Sequence, residues 1–168
     1  MSELRYPMYD TAFFTNAAGG ISTLFSNPQG SNSTLTKSVT NSRGAGQFPQ
    51  NEAFAADWLG IFLDEIPIVG DIQKVWVDSY LEFRVNDETV MLAPLRLLAA
   101  LNSFGGHFGQ AAAADLAAIG LAGNGLPLDI PIVIPGGTAF QVLVFQGTAL
   151  SATAQSVRFV MNGILTRS

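Results

Sequence analysis

LPLDIPIVIPGGTAFQVLVFQGTALSATAQSVRFVMNGILTR, running from Leu126 to Arg167, is the stretch that decides the fold. Between Ile130 and Val157 it contains no Asp, Glu, Lys, Arg or His, yet Pro131, Pro135, Gly136, Gly137 and Gly147 interrupt it. A helix so broken could not satisfy its own backbone in lipid, which argues against a membrane span. Strand alternation fits instead. Leu126, Leu128, Ile130, Ile132 and Ile134 fall on one face, with Pro127, Asp129, Pro131, Val133 and Pro135 on the other. Prolines lack the N–H that a ladder needs, so this strand belongs at a sheet edge or in irregular pairing. Gly136-Gly137 reads as a turn, Phe140, Val142 and Val144 open the next strand, and Val157, Phe159 and Met161 open the last. Asn162-Gly163 is expected to be a bulge or turn before Ile164 and Leu165.

Upstream, residues 53–63 (AFAADWLGIFL) and 72–77 (IQKVWV) read as strands. In 79–85, Tyr80, Glu82 and Arg84 alternate with Leu81, Phe83 and Val85; Asn86-Asp87-Glu88 turns the chain, and Thr89–Leu92 returns as a hairpin. Pro94–Leu101 fits a short helix or a buried strand, and the alanine-rich part of 103–125 fits a short helix inserted between strands. The segments Glu65–Gly70 and Asp129–Ile134 share an acid-Ile-Pro-Ile-Val core, which would suit equivalent positions in two sheets. Short strands in this number predict an all-β protein: a single jelly-roll β-sandwich of about eight antiparallel strands over residues 51–168. Phe83, Phe140, Val142 and Phe159 are expected to point between the sheets.

Composition breaks near residue 50. Residues 15–50 hold Gly19-Gly20, Asn27-Pro28, a Ser/Thr/Asn cluster from Ser31 to Ser42 and Gly44-Ala45-Gly46, so residues 1–50 read as an extended N-terminal arm. Its apolar residues Phe13, Phe14, Ile21, Leu24, Phe25 and Phe48 exceed what a disordered tail carries, and they are the candidate subunit-interface residues. An arm exchanged between subunits would make a homo-oligomer, a dimer or larger.

Charged residues are 12% of the 168, against about a quarter in a typical soluble domain. Such thrift suits a surface that is buried against neighbours. Net charge is −5 and the few basic residues before Lys74 are dispersed, which disfavours nucleic acid as a partner. There is no cysteine, hence no disulfide or thiolate site, and MSELRYPMYDTAFF lacks the apolar core of a secretory leader.

Reactive chemistry is thin. His107, in Gly-Gly-His-Phe-Gly, has no nucleophile elbow to serve. Asp64-Glu65 and Asp87-Glu88 are adjacent pairs, whose side chains on a strand would point to opposite faces. Gly44-Ala45-Gly46 precedes Phe48-Pro49 and lacks the Gly-Lys of a phosphate loop. Asn32-Ser33-Thr34 matches a glycosylation sequon, and Asp57, Asp71, Asp78 or Asp129 would join a calcium site only if their loops converged. No catalytic residue, cofactor or metal is assigned, and the chain reads as a non-enzyme.

The DIPIVIPGGTAFQVLVF hairpin, the loose connection from Gly147 to Ser156 and the closing SVRFVMNGILTR strand together resemble the C-terminal part of small major capsid proteins with a single upright jelly roll. Those proteins build the shells of tailless icosahedral bacteriophages with an internal membrane, of the Thermus phage type. The resemblance covers about a quarter of the chain. It implies a virion subunit that assembles with itself and with a second, larger capsid protein, with possible contact to the viral lipid membrane. The alternative expectation is a jelly-roll glycan-binding module, a lectin or adhesin head. Trp58 and Trp76, which would serve as its platforms, sit in apolar stretches where core packing is the simpler role.

Overall fold

Burial at every second position, Val157, Phe159, Met161, Gly163 and Leu165, makes β8 (Gln155–Arg167) the spine of one sheet. The computed structural model describes residues 2–17, 19–63, 69–99, 125–151 and 155–168. The further strands are β1 (Ser2–Phe14), β2 (Ile21–Leu24), β3 (Glu52–Leu63), β4 (Tyr80–Val85), β5 (Glu88–Pro94), β6 (Leu126–Ile134) and β7 (Phe140–Phe145). They form two four-stranded antiparallel sheets in the orders β1-β8-β3-β6 and β2-β7-β4-β5. The pairs β1·β8, β2·β7, β3·β6 and β4·β5 are the rungs of one long hairpin, and the contacts β8·β3 and β7·β4 roll it shut. That winding is the jelly roll.

The N-terminal half departs from the sequence reading. Residues 1–50 are not an arm, because β1 pairs with β8 along its whole length, from Ser2 opposite Arg167 to Phe14 opposite Gln155, and β2 edges the second sheet. The polar stretch after β2 folds back on the chain's own β1. Asn41 donates its N–H to the Tyr9 carbonyl and accepts the Tyr9 N–H on Oδ1 at 2.8 Å, while Thr11 Oγ1 donates to the Val39 carbonyl. The free edge of β1 is therefore covered internally from Pro7 to Thr11.

Residues 72–77 are also not a strand. They lie in helix α1 (Val69–Asp78), whose buried positions Asp71, Val75, Trp76 and the following Ser79 recur with the helical period. β-branched and aromatic composition misdirects the reading there, since tertiary packing overrides propensity. The hairpin turn falls where expected, with Asn86 and Asp87 both left-handed at φ 52° and 64°, the geometry of a tight two-residue β-turn. Of Pro94–Leu101, the described part holds a 3-10 turn at Leu95–Leu98, and residues 100–101 lie outside the described residues. β6 is an edge strand, as its prolines require. The irregularity expected at Asn162-Gly163 lies across from it, at Asp57 in β3, where register slips between Ala56 and Trp58. Gly163 itself is fixed by close approach, for a Cβ there would sit 2.1 Å from the Ala55 carbonyl oxygen. Most of the 103–125 insertion and residues 65–68 of the repeated motif lie outside the described residues, and Val69 and Gly70 of that motif open α1.

The core is aromatic. Phe140 packs against Phe25, Phe48 and Phe83 with ring centroids 5.6, 5.6 and 6.4 Å apart, while Phe48 also stacks on Phe54 and Phe25 meets Phe159 edge-on. Phe83, Phe140, Val142 and Phe159 all lie between the sheets, as expected. Phe140→Ala removes the shared centre of this cluster, and the expected loss is about 3–5 kcal/mol by urea denaturation. Against a total of roughly 5–15 kcal/mol that is a large share. Deletion of residues 1–48 strips β1, β2, Phe25 and Phe48, so the remaining chain should show no cooperative unfolding transition by circular dichroism.

Candidate functional site

The six candidate interface residues separate by burial. Phe14, Leu24, Phe25 and Phe48 are buried in the chain's own core and cannot meet a neighbour, whereas Phe13 and Ile21 are more than half exposed. Phe25 owes its place to a carboxylate. Its left-handed backbone (φ 58°) is held by Asp10, an inward-facing residue of β1 whose Oδ2 accepts the Phe25 N–H at 2.5 Å and whose Oδ1 accepts the Thr11 N–H at 2.8 Å. Burial pushes the Asp10 carboxyl above the usual carboxylate range, an effect only partly offset by the Phe25, Thr11 and Thr40 hydrogen bonds.

A second buried carboxylate ties α1 to the segment before β8. Asp71 accepts hydrogen bonds from Lys74 Nζ at 2.9 Å, from the Ser151 hydroxyl at 2.8 Å and from the Ser151 N–H at 2.9 and 3.0 Å. Lys74 Nζ also lies 2.7 Å from Ser151 Oγ. A serine beside a lysine invites a nucleophilic reading, but the lysine would have to act as a neutral base. Asp71 opposes that. Burial works to raise its carboxyl, yet the hydrogen bonds from Lys74 and Ser151 outweigh burial and hold it below the usual carboxylate range. The lysine and the serine both spend their donors on this carboxylate, so the triangle is a structural tie. A third acid, Glu52, is buried and receives Arg167 at 2.9 Å and Arg43 at 3.2 Å.

Among the described residues no three His, Asp or Glu side chains converge to hold a metal. Asp57 is taken by Arg5 in a paired contact at 2.5 and 2.9 Å, Asp71 by Lys74 and Ser151, and Asp78 by the Thr148 hydroxyl. Asp129 stands exposed on β6. Asn32 of the sequon accepts three local hydrogen bonds, from the backbone N–H groups of Thr34 and Leu35 and from the Thr34 hydroxyl, as a turn residue does. His107 and Asp64-Glu65 lie outside the described residues. Trp76 is a core residue on α1, while Trp58 is half-buried on the outer face of β3, its indole lying against Gly60 and Gly125. No helix among the described residues is long and apolar enough to cross a membrane.

Several large apolar side chains face outward. Ile130 is 85% and Leu92 65% exposed, with Val90, Leu97 and Val133 also prominent. Val90, Ile130 and Val133 line an open groove of about 660 Å³ between β6 and the β4–β5 hairpin, where both sheets end on the same side. Alternation groups Ile130 with Leu126, Leu128, Ile132 and Ile134, of which Ile134 is buried. The slip that pairs Ala56 with Ile132 but Trp58 with Pro127 leaves residues 128–131 out of the ladder with β3 and turns Ile130 to solvent. No alternation rule foretells a slip imposed by the neighbouring strand. No protein-family model matches this chain, and no curated protein matches its sequence.

The Asp71 tie has a pH signature. A lowered folded-state value means that its stabilisation is complete above the ordinary value of 3.8 and is lost as pH falls through the lower, folded value. Asp10, shifted upward, acts in the opposite sense: its buried charge costs stability at neutral pH, and that cost is relieved as acid protonates it. Asp71→Asn should therefore lower stability at pH 7 by about 2 kcal/mol, the loss of charge-assisted hydrogen bonds. The variant should also lack the share of acid destabilisation that the wild type shows below the ordinary carboxylate range, measured as urea midpoints across that range.

Proposed function

We propose that this protein is a structural subunit of a viral capsid, assembling with itself and with a second, larger capsid protein into an icosahedral shell around an internal membrane. The observation that carries the reading is the rolled-hairpin sandwich whose strands β6, β7 and β8 are formed by the residues that resemble the upright single jelly-roll capsid proteins. Two further features support it. Exposed aliphatic and aromatic side chains occur at both lateral sides of the sandwich, Phe13 and Ile21 beside β1 and β2 and Leu92 and Ile130 beside β5 and β6, as lateral packing of subunits requires. The chain is acidic and its few basic residues before Lys74 are dispersed, and a membrane between shell and genome would make a basic arm unnecessary.

On this reading the protein works by its surfaces, without catalysis, and its place is the virion. The buried ties at Asp10, Glu52 and Asp71 serve rigidity, fixing the loops that join the sheets so that the outer faces hold one shape. The expected outcome is that mass spectrometry of purified, gradient-banded virions finds this chain in stoichiometric amount. Mixing it with the larger capsid protein of the same genome and lipid vesicles should give complexes that neither protein forms alone. His107→Ala should assemble as the wild type does. Absence from virions together with failure to co-assemble would overturn the reading.

A further inference from the structure

The groove of about 660 Å³ between β6 and the β4–β5 hairpin opens directly from the core. Val85 and Ile132, both packed against the buried cluster, form its floor, and the exposed side chains of Val90, Ile130 and Val133 form its walls. Glu88 joins them. It pairs with Val85 in the hairpin register, so both side chains project from the same face of that sheet and both line the groove. An apolar cleft of this size with a few polar groups is the usual form of a binding site. Charge then sorts the candidate occupants. Glu88 is the one charged residue among those lining the groove, it is exposed, and it is in no ion pair among the described residues. The hairpin's own basic residue, Arg84, pairs with Thr89 on the opposite face and is committed to Glu82 by hydrogen bonds at 2.8 and 2.9 Å. The groove therefore favours a cation.

We propose that the groove docks an extended segment of a partner protein, apolar in character and carrying a lysine or arginine that meets Glu88. Hydrogen-bonding capacity points the same way as charge. Pro131 and Pro135, both lining the groove, have no N–H, so the chain offers carbonyl acceptors and no donors at those positions. An acyl chain or an anionic headgroup brings no donor to meet them. An extended peptide does, and it needs no continuous ladder to do so. From Ile130 to Pro135 the lining runs roughly 17 Å at about 3.3 Å per residue, room for about six residues of an extended partner. The partner's apolar side chains cover Val90, Ile130 and Val133, and its cation faces the acid on the hairpin wall. The groove takes such a segment whether or not the chain lies in a virion.

Methyl NMR of the full chain tests this, titrated with end-blocked octapeptides that alternate valine with serine and carry lysine, serine or glutamate at one position stepped along the peptide. The lysine peptides should shift the methyls of Val85, Val90, Ile130, Ile132 and Val133, with a Kd below about 1 mM. Glutamate peptides should bind about tenfold more weakly, a preference that shrinks with added salt. Glu88→Gln should cost the lysine peptide about threefold, the scale of an exposed ion pair, and leave the serine peptide unchanged. Glu88→Lys should reverse the order of the lysine and glutamate peptides. Ile130→Ser should weaken every peptide about fivefold through lost apolar contact. Far-ultraviolet circular dichroism should not change in these variants, because both side chains are exposed. No binding by any peptide up to about 1 mM, equal binding of lysine and glutamate peptides, or a Glu88→Gln variant indistinguishable from the wild type would each overturn the proposal. So would shifts of the same methyls on concentrating the protein alone, which would assign the groove to a second copy. Absence from virions would remove the shell reading and leave these titrations untouched.

Discussion

The pairing of β1 with β8 is the constraint on which the rest of the structure depends. It joins the two ends of the chain along 13 residues, so every other rung of the rolled hairpin is held inside a loop that this pairing closes. Such closure is entropically costly and rewards the chain only once distant segments have met. The compensation sits directly beneath the strands: Met8, Ala12 and Phe14 of β1 and Val157, Phe159 and Met161 of β8 bury their side chains in one core. Asp10 is the exception on that inward face, and its charge is tolerated because the hydrogen bonds it accepts set the backbone that delivers Phe25 to the aromatic cluster. A polar residue in the core thus positions an apolar one.

The same dependence explains which parts of the fold were legible in the sequence. Strands β3 to β8 announce themselves by alternation, by the Asn86-Asp87 turn and by prolines that mark an edge, all of which are local signals. β1 and β2 do not. Their partners are the last strands of the chain, and the Ser/Thr/Asn-rich loop after β2 dominates the local composition, so six aromatic and aliphatic residues looked like an arm's contacts when four of them are core. Aromatic content in a polar stretch was the available clue, and it signalled burial within the subunit. For 72–77 the error has another origin: periodicity anchored on Asp71, a buried acid, is invisible to a reading that follows hydrophobic positions alone.

Charge is used sparingly, and where it is used it ties segments together. Asp71 draws α1 onto Ser151, Glu52 gathers Arg43 and the C-terminal Arg167, and Arg5 reaches the bulged Asp57. Partly exposed pairs such as Arg5–Asp57 add little to stability, but ties with a buried acid fix geometry because breaking one would leave that acid without compensation. Most of the chain's few basic groups are committed in this way. The outer surface is left with neutral polar groups, exposed aliphatic side chains and a small number of unpaired charges.

That division constrains how such a sandwich can associate. Open sheet edges invite indiscriminate pairing through the backbone, and here three of the four are blunted: β1 by its own loop, β5 by a bulge, β6 by prolines and a slipped register. Backbone pairing being obstructed, contact between subunits falls to side chains, whose shape and charge can discriminate one partner from another. The irregularities in β5 and β6 then have two effects at once, since the features that disrupt the ladder also turn Val90 and Ile130 outward. That combination lets a sandwich refuse disordered aggregation and still accept specific neighbours through surfaces sparing of charge, which is what the proposed shell role would ask of it.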